Sequence, residues 1–125
     1  MIKVRSIFRS LKYAFAGLLH VIKTQNNARF HLIATMFVLI ISAWLNLTLI
    51  QWGFILIAIS VVWITECFNT SIEELFNLIH PDSHLIVKNG KDSGAAAVLV
   101  AAILSVCLGA LVLVPALIQK FQTLY

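Results

Sequence analysis

Three of the chain's five acidic residues fall within nine positions, in the run Glu66-Cys67-Phe68-Asn69-Thr70-Ser71-Ile72-Glu73-Glu74. On a helix turning about 100° per residue, Asn69, Thr70, Glu73 and Asn77 lie at roughly −60°, +40°, −20° and +20° from Glu66. One stripe therefore carries two carboxylates, two amides and a hydroxyl, with Glu74 toward its edge. Glu66 and Glu73 are about 10 Å apart along the axis, one turn on each side of Asn69. Carboxylates so placed can divide labour, one acting as a base and the other as a ligand for a hard cation. A second polar block, Lys88-Asn89-Gly90-Lys91-Asp92-Ser93-Gly94, leads into Ala95, Ala96 and Ala97. Lys88 and Lys91 can share a helical face as a phosphate clamp opposite the carboxylates. Lys88 reads more simply as an anchor at a membrane surface, whereas Lys91-Asp92 abuts residues small enough for close helix approach.

The elements that must position these groups are hydrophobic. The chain has 125 residues, 61% of them apolar and only 11% charged, and its mean hydropathy is +0.97. Soluble domains run nearer half apolar and a quarter charged. A chain this short buries about two-thirds of its surface on folding, so lipid is the natural solvent for the rest. With two Cys, two Pro and five Gly, the composition also excludes disordered, collagenous, coiled-coil and disulfide-scaffold chains. Ionisable groups at membrane depth are costly and mark function, which directs attention to Glu66.

Two long runs carry no formal charge: the 36 residues from Phe30 to Thr65 and the 27 from Ser93 to Gln119. A membrane-spanning helix needs about 20 apolar residues, so the first run must fold back on itself. Asn46-Leu47-Thr48 is the expected turn, flanked by Trp44 and Trp52 as interfacial aromatics. The fold class read from this pattern is all-α and membrane-integral. An amphipathic surface helix covers about 3–24 and three spans cover about 30–46, 50–71 and 94–117, within one membrane domain, 1–125. Eight of the nine basic residues lie before Phe30 or between the second and third spans, which places the N-terminus in the cytoplasm.

In the first 24 residues, Val4, Ile7, Phe8, Leu11, Phe15, Leu18, Leu19 and Ile22 share one helical face and Arg5, Arg9, Lys12, His20 and Lys23 the other. Such a helix lies in the headgroup plane with its basic side toward anionic lipid. A signal peptide is the rival reading, but Lys12 and Lys23 break the apolar run and no small-residue cleavage site follows.

Other residues carry weaker signals. Ala97, Ala101, Ser105 and Gly109 repeat every four residues as a small-residue stripe for helix packing. Cys67 and Cys107 read as buried packing thiols. His80 and His84 are four apart, but Pro81 between them argues against a continuous helix, and a metal site is not expected there. His20 and His31 carry nothing that marks a haem site. A standard nucleotide-binding glycine motif does not occur.

The run Glu66-x-x-Asn69-Thr70-x-Ile72-Glu73, followed by Lys91-Asp92-x-Gly94-Ala95-Ala96-Ala97-Val98-Leu99, resembles the prokaryotic diacylglycerol kinase family, which includes undecaprenol kinases. Ser10-x-Lys12-Tyr13-Ala14-x-x-Gly17 and Asn27-x-Arg29-x-His31 agree, so the resemblance runs from about Arg9 to Pro115. It implies a homotrimeric enzyme of the bacterial cytoplasmic (inner) membrane that moves the γ-phosphate of ATP, with Mg²⁺ as cofactor, to a lipid hydroxyl. Diacylglycerol is the first acceptor implied and undecaprenol the second; the partners are the lipid, ATP and the membrane, with no nucleic acid. By the same resemblance Glu66 is the catalytic base and Glu73 binds the metal on the ATP phosphates. Asn69 and Lys91 line the phosphate site, and Asp92 lies near the nucleotide. Phosphoryl transfer is mostly positioning and charge neutralisation, which these residue types supply.

Two departures stand out. The family usually carries a second metal-binding Glu two residues before its Asn-x-Arg-x-His segment, where this chain has Gln25, and some relatives carry Asp in place of Asn77. The alternative reading is a non-enzymatic membrane subunit or small cation or proton transporter that uses Glu66 and Glu73 as a relay.

Overall fold

The computed structural model describes residues 4–79 and 85–122, with side chains from Ile7 onward, so the His80–His84 segment lies outside the described residues. Four helices follow in order: α1 (Val4–Thr24), α2 (Asn26–Trp44), α3 (Leu49–Ile79) and α4 (Leu85–Gln122). The described residues contain no strand, and α2, α3 and α4 are each long and apolar enough to cross a membrane. At about 1.5 Å per residue, α3 and α4 are roughly 46 and 57 Å long, well beyond the ~30 Å of a hydrocarbon core. Both outrun the apolar stretches read from the sequence. A helix does not end where its apolar residues end, because its backbone bonds are satisfied internally in water as in lipid.

Every described side chain from Ile7 to His20 is exposed on the chain, and Val21 is the first in α1 to be buried. The apolar face of α1 is thus left for lipid. Gln25, extended at φ −103° and ψ 122°, breaks α1 from α2. Arg29 secures that corner: its Nε donates to the Ile22 carbonyl at 3.1 Å and its Nη2 to the Lys23 carbonyl at 2.6 Å. These are among the last carbonyls of α1, which have no partner within their own helix, and a cation there also suits the helix dipole.

The opposite end is the expected turn. Asn46 adopts a positive φ of 54°, a conformation Asn tolerates better than most residues. Thr48 and Gln51 then form a reciprocal cap at the start of α3: Thr48 N–H donates to Gln51 Oε1 at 2.8 Å, and Gln51 N–H to Thr48 Oγ1 at 3.4 Å. Leu45, Leu47, Ile55, Val112 and Ala116 pack together beneath this turn. Lys120 ties α4 to it, donating to the Trp44 carbonyl at 2.9 Å with its ammonium 5.1 Å from the centre of the Trp44 ring.

The main interface joins α3 to α4, and its register differs from the expected small-residue stripe. Gly94, Val98, Ala101, Val112 and Ala116 are buried, and Ser105 Oγ donates to the Ala58 carbonyl of α3 at 2.8 Å. Ala97 is exposed, and a Cβ added at Gly109 would meet nothing within 4 Å. A strict four-residue repeat drifts about 40° per step around the helix, whereas alternating steps of three and four hold one face. Only Ala101 and Ser105 of the expected stripe therefore take part. Cys67 is half-buried and Cys107 is exposed, so the second thiol is not a core packing group.

Candidate active site

On α3 the inward stripe runs through Ile55, Ala58, Val62, Glu66 and Asn69, all buried, and continues to the half-buried Glu73. With the α2–α3 turn at one membrane boundary, Glu66 lies about 26 Å along α3 and Glu73 about 36 Å. Glu66 is thus near the far edge of a ~30 Å hydrocarbon core and Glu73 beyond it. Glu66 is only 1% exposed, and its Oε2 has no hydrogen-bond partner among the described residues. A buried carboxylate oxygen without a donor costs free energy that packing alone does not recover.

One turn further on, three side chains from two elements meet. Asn69 Nδ2 donates to Glu73 Oε1 at 3.2 Å, and Gln25 Nε2 donates to Glu73 Oε2 at 3.1 Å. Gln25 reaches Glu73 because the α1–α2 corner held by Arg29 projects it over the end of α3. Asn69 is held by α4: a Cβ on Gly94 would stand 2.5 Å from Asn69 Oδ1, so only glycine leaves room for this amide. Asn69 Oδ1 is itself buried without a hydrogen-bond partner among the described residues. Around this cluster lies a cleft of about 280 Å³, lined by Gln25, Asn27, His31, Asn69, Glu73 and apolar residues of α4. Directly beneath it, an apolar groove of about 450 Å³ opens between α2, α3 and α4.

Lys91 does not line the cleft. Its Nζ donates to Asn77 Oδ1 at 2.6 Å, one turn outward from Glu73. Asp92 is exposed and also outside the lining. Glu74, at the edge of the α3 stripe, is paired with His20 of α1, both half-exposed.

The sequence pattern of the prokaryotic diacylglycerol kinases matches residues 12–113, most of the chain. The chain belongs to the prokaryotic diacylglycerol kinase family. It is similar to an undecaprenol kinase of Bacillus subtilis, 33% identical over 115 residues that cover 92% of this chain and 94% of that one. It is also 34% identical over 111 residues to a diacylglycerol kinase of Synechocystis, covering 88% of this chain and 63% of that longer relative. A diacylglycerol kinase of Escherichia coli is 28% identical over 100 residues, 80% of this chain and 82% of that one.

Membership in the diacylglycerol kinase family makes the chain an ATP-dependent lipid kinase. Of the residues singled out in sequence, Gln25, Asn69 and Glu73 come into direct contact, Glu66 lies one turn deeper on the same stripe, and Lys91 and Asp92 stand outside the cleft. Sequence reasoning gave no weight to His31, which lines both cavities, or to Arg29 as the brace of the corner. The Asn-x-Arg-x-His segment contained both, but its residues act across a helix break that helical periodicity does not span.

Proposed function

We propose that this lipid kinase transfers the γ-phosphate of MgATP to the primary hydroxyl of diacylglycerol, giving phosphatidic acid. The observation that carries the reading is the layout of the two cavities: a polar cleft around Glu73 stacked on an apolar groove, with buried Glu66 at the level where they meet. Val62, one turn before Glu66, lines the groove, and Asn69, one turn after it, lines the cleft. The lipid tail lies in the groove, the phosphates lie in the cleft, and the hydroxyl between them is within reach of one base.

Glu66 takes the hydroxyl proton as the oxygen bonds to the γ-phosphorus. The bond to the β,γ-bridging oxygen breaks, and its electron pair leaves on ADP. The donor set fits Mg²⁺, which in kinase sites takes one or two carboxylates and completes its shell with phosphates and water. Glu73 would supply the anionic ligand and Gln25 a neutral one, and the ion would neutralise charge on the phosphates. Lys91 swings from Asn77 toward the phosphates, and Asp92 flanks the nucleotide. The enzyme works as a homotrimer, which closes the open face of the cleft and groove, in the bacterial cytoplasmic membrane with its basic N-terminus inside.

Undecaprenol is the second acceptor, favoured by the end-to-end likeness to the Bacillus subtilis undecaprenol kinase. Phosphate transfer from labelled ATP to each lipid in mixed micelles decides between them. Labelled phosphatidic acid as the main product supports the first reading and labelled undecaprenyl phosphate the second. Transfer to neither would refute both.

A further inference from the structure

The cleft and the groove share three lining residues, Phe30, His31 and Ala102. Of these, only His31 can hydrogen-bond through its side chain. The other polar side chains of the groove are already engaged. Thr35 Oγ1 accepts from Trp63 Nε1 at 3.1 Å, and Ser105 Oγ donates to the Ala58 carbonyl at 2.8 Å. The His31 ring stands edge-on to Phe30, with centroids 5.9 Å apart, and has no hydrogen-bond partner among the described residues. It shares the groove with Val62 and the cleft with Asn69 and Glu73, so on α2 it stands level with the turn of α3 that carries buried Glu66. Glu66 Oε2, like Asn69 Oδ1 one turn further on, is a buried acceptor left without a donor among the described residues.

A lipid whose tail lies in the groove and whose reaction partner lies in the cleft must carry its hydroxyl past this turn. A hydroxyl donates one proton and accepts through its lone pairs, whereas a carboxylate only accepts. We propose that His31 receives the acceptor lipid's hydroxyl. A ring N–H donates to the hydroxyl oxygen while the hydroxyl proton is directed at Glu66 Oε2, leaving one oxygen lone pair for the γ-phosphorus. In the transfer that proton goes to Glu66, the electron pair of the broken phosphorus–oxygen bond leaves on ADP, and His31 keeps its own proton. The assignment rests on the kinase reading for the direction of transfer.

The test compares binding of a short-chain diacylglycerol and a short-chain polyprenol, each beside an analogue with methyl in place of its hydroxymethyl group. The full-length protein is used in mixed micelles, as wild type, His31→Leu and His31→Gln. His31→Leu is expected to weaken binding of the hydroxylated lipid by about tenfold and of its methyl analogue by less than about twofold, the scale of one lost hydrogen bond. His31→Gln keeps an N–H donor and should hold the hydroxyl preference within about threefold of wild type; it decides the matter alone if His31→Leu does not assemble. Equal weakening of both lipids, no weakening in His31→Leu, or loss of the hydroxyl preference in His31→Gln would overturn the assignment. A wild type that binds the hydroxylated lipids with this preference but transfers no phosphate would instead sink the kinase reading and leave His31 as the hydroxyl's partner.

Discussion

Gln25 Nε2 stands 3.1 Å from Glu73 Oε2, joining the corner between α1 and α2 to the polar extension of α3 across 48 positions of sequence. This contact ties the corner after α1 to the carboxylate proposed to hold the metal, and Gln25 makes it with a neutral side chain. An amide donating to Glu73 holds the carboxylate in place, but a carboxylate at the same position would ligate a cation more strongly.

Gln25→Glu should therefore tighten Mg²⁺ binding. The half-saturating Mg²⁺ concentration for phosphate transfer is expected to fall about threefold or more, since a second carboxylate suits a hard cation better than an amide oxygen. A Mg²⁺ titration of both proteins at fixed ATP checks this, and an unchanged or higher midpoint would count against Gln25 as a ligand.

Gly94→Ala places a methyl group where Asn69 Oδ1 now lies, since the added Cβ would be 2.5 Å away. The helix tolerates alanine, and Asn69 must yield, losing its 3.2 Å hydrogen bond to Glu73. Transfer activity should fall by about tenfold or more through a higher KM for MgATP, while the thermal midpoint in micelles changes little. A variant that unfolds, or one with unaltered kinetics, would show that Gly94 serves something other than Asn69.

Glu73 and Glu74 are adjacent but belong to different arrangements. Glu73 is half-buried between Gln25 and Asn69, whereas Glu74 is 53% exposed and paired with His20. Exposed pairs contribute at most about 1 kcal/mol. Glu74→Gln should keep at least about half of wild-type transfer, and Glu73→Gln should lose nearly all of it at cellular Mg²⁺. Steady-state assays of the two variants side by side would reveal any reversal of this order.

Arg29 braces the corner through two carbonyls, of Ile22 and Lys23, using the fork of its guanidinium. Lysine has the charge but not the fork. Arg29→Lys should raise the KM for MgATP about fivefold by loosening Gln25, with a smaller effect on the lipid KM. Equal changes in both constants would mean that the corner serves the whole bundle rather than the cleft.

The relation between sequence and structure differs from residue to residue. The stripe of Glu66, Asn69 and Glu73 was legible because it depends only on the turn of one helix, and the Asn46–Thr48 turn because Asn and Thr interrupt a run of apolar residues. The α4 face was misjudged because a repeat of small residues every four positions is a local pattern, whereas burial depends on which side of α4 fits α3. The meeting of Lys91 with Asn77 and of His20 with Glu74 was not legible, since helix phase alone does not say how two helices are rotated against each other. Gln25 entered through resemblance, and its contact with Glu73 became visible only once the extended residue between α1 and α2 gave it a direction.

The central claim is that Glu66 and Glu73 divide the chemistry, one handling the proton and the other the metal-bound phosphates. The most direct measurement is kcat and the MgATP KM for transfer to the preferred lipid in wild type, Glu66→Gln and Glu73→Gln, each checked for intact assembly. Glu66→Gln should lower kcat by about a hundredfold or more with the MgATP KM held within about threefold, as loss of a general base requires. Glu73→Gln should instead raise the MgATP KM, with partial rescue by high Mg²⁺. Retention of kcat in Glu66→Gln, or identical kinetic defects in the two variants, would contradict the division.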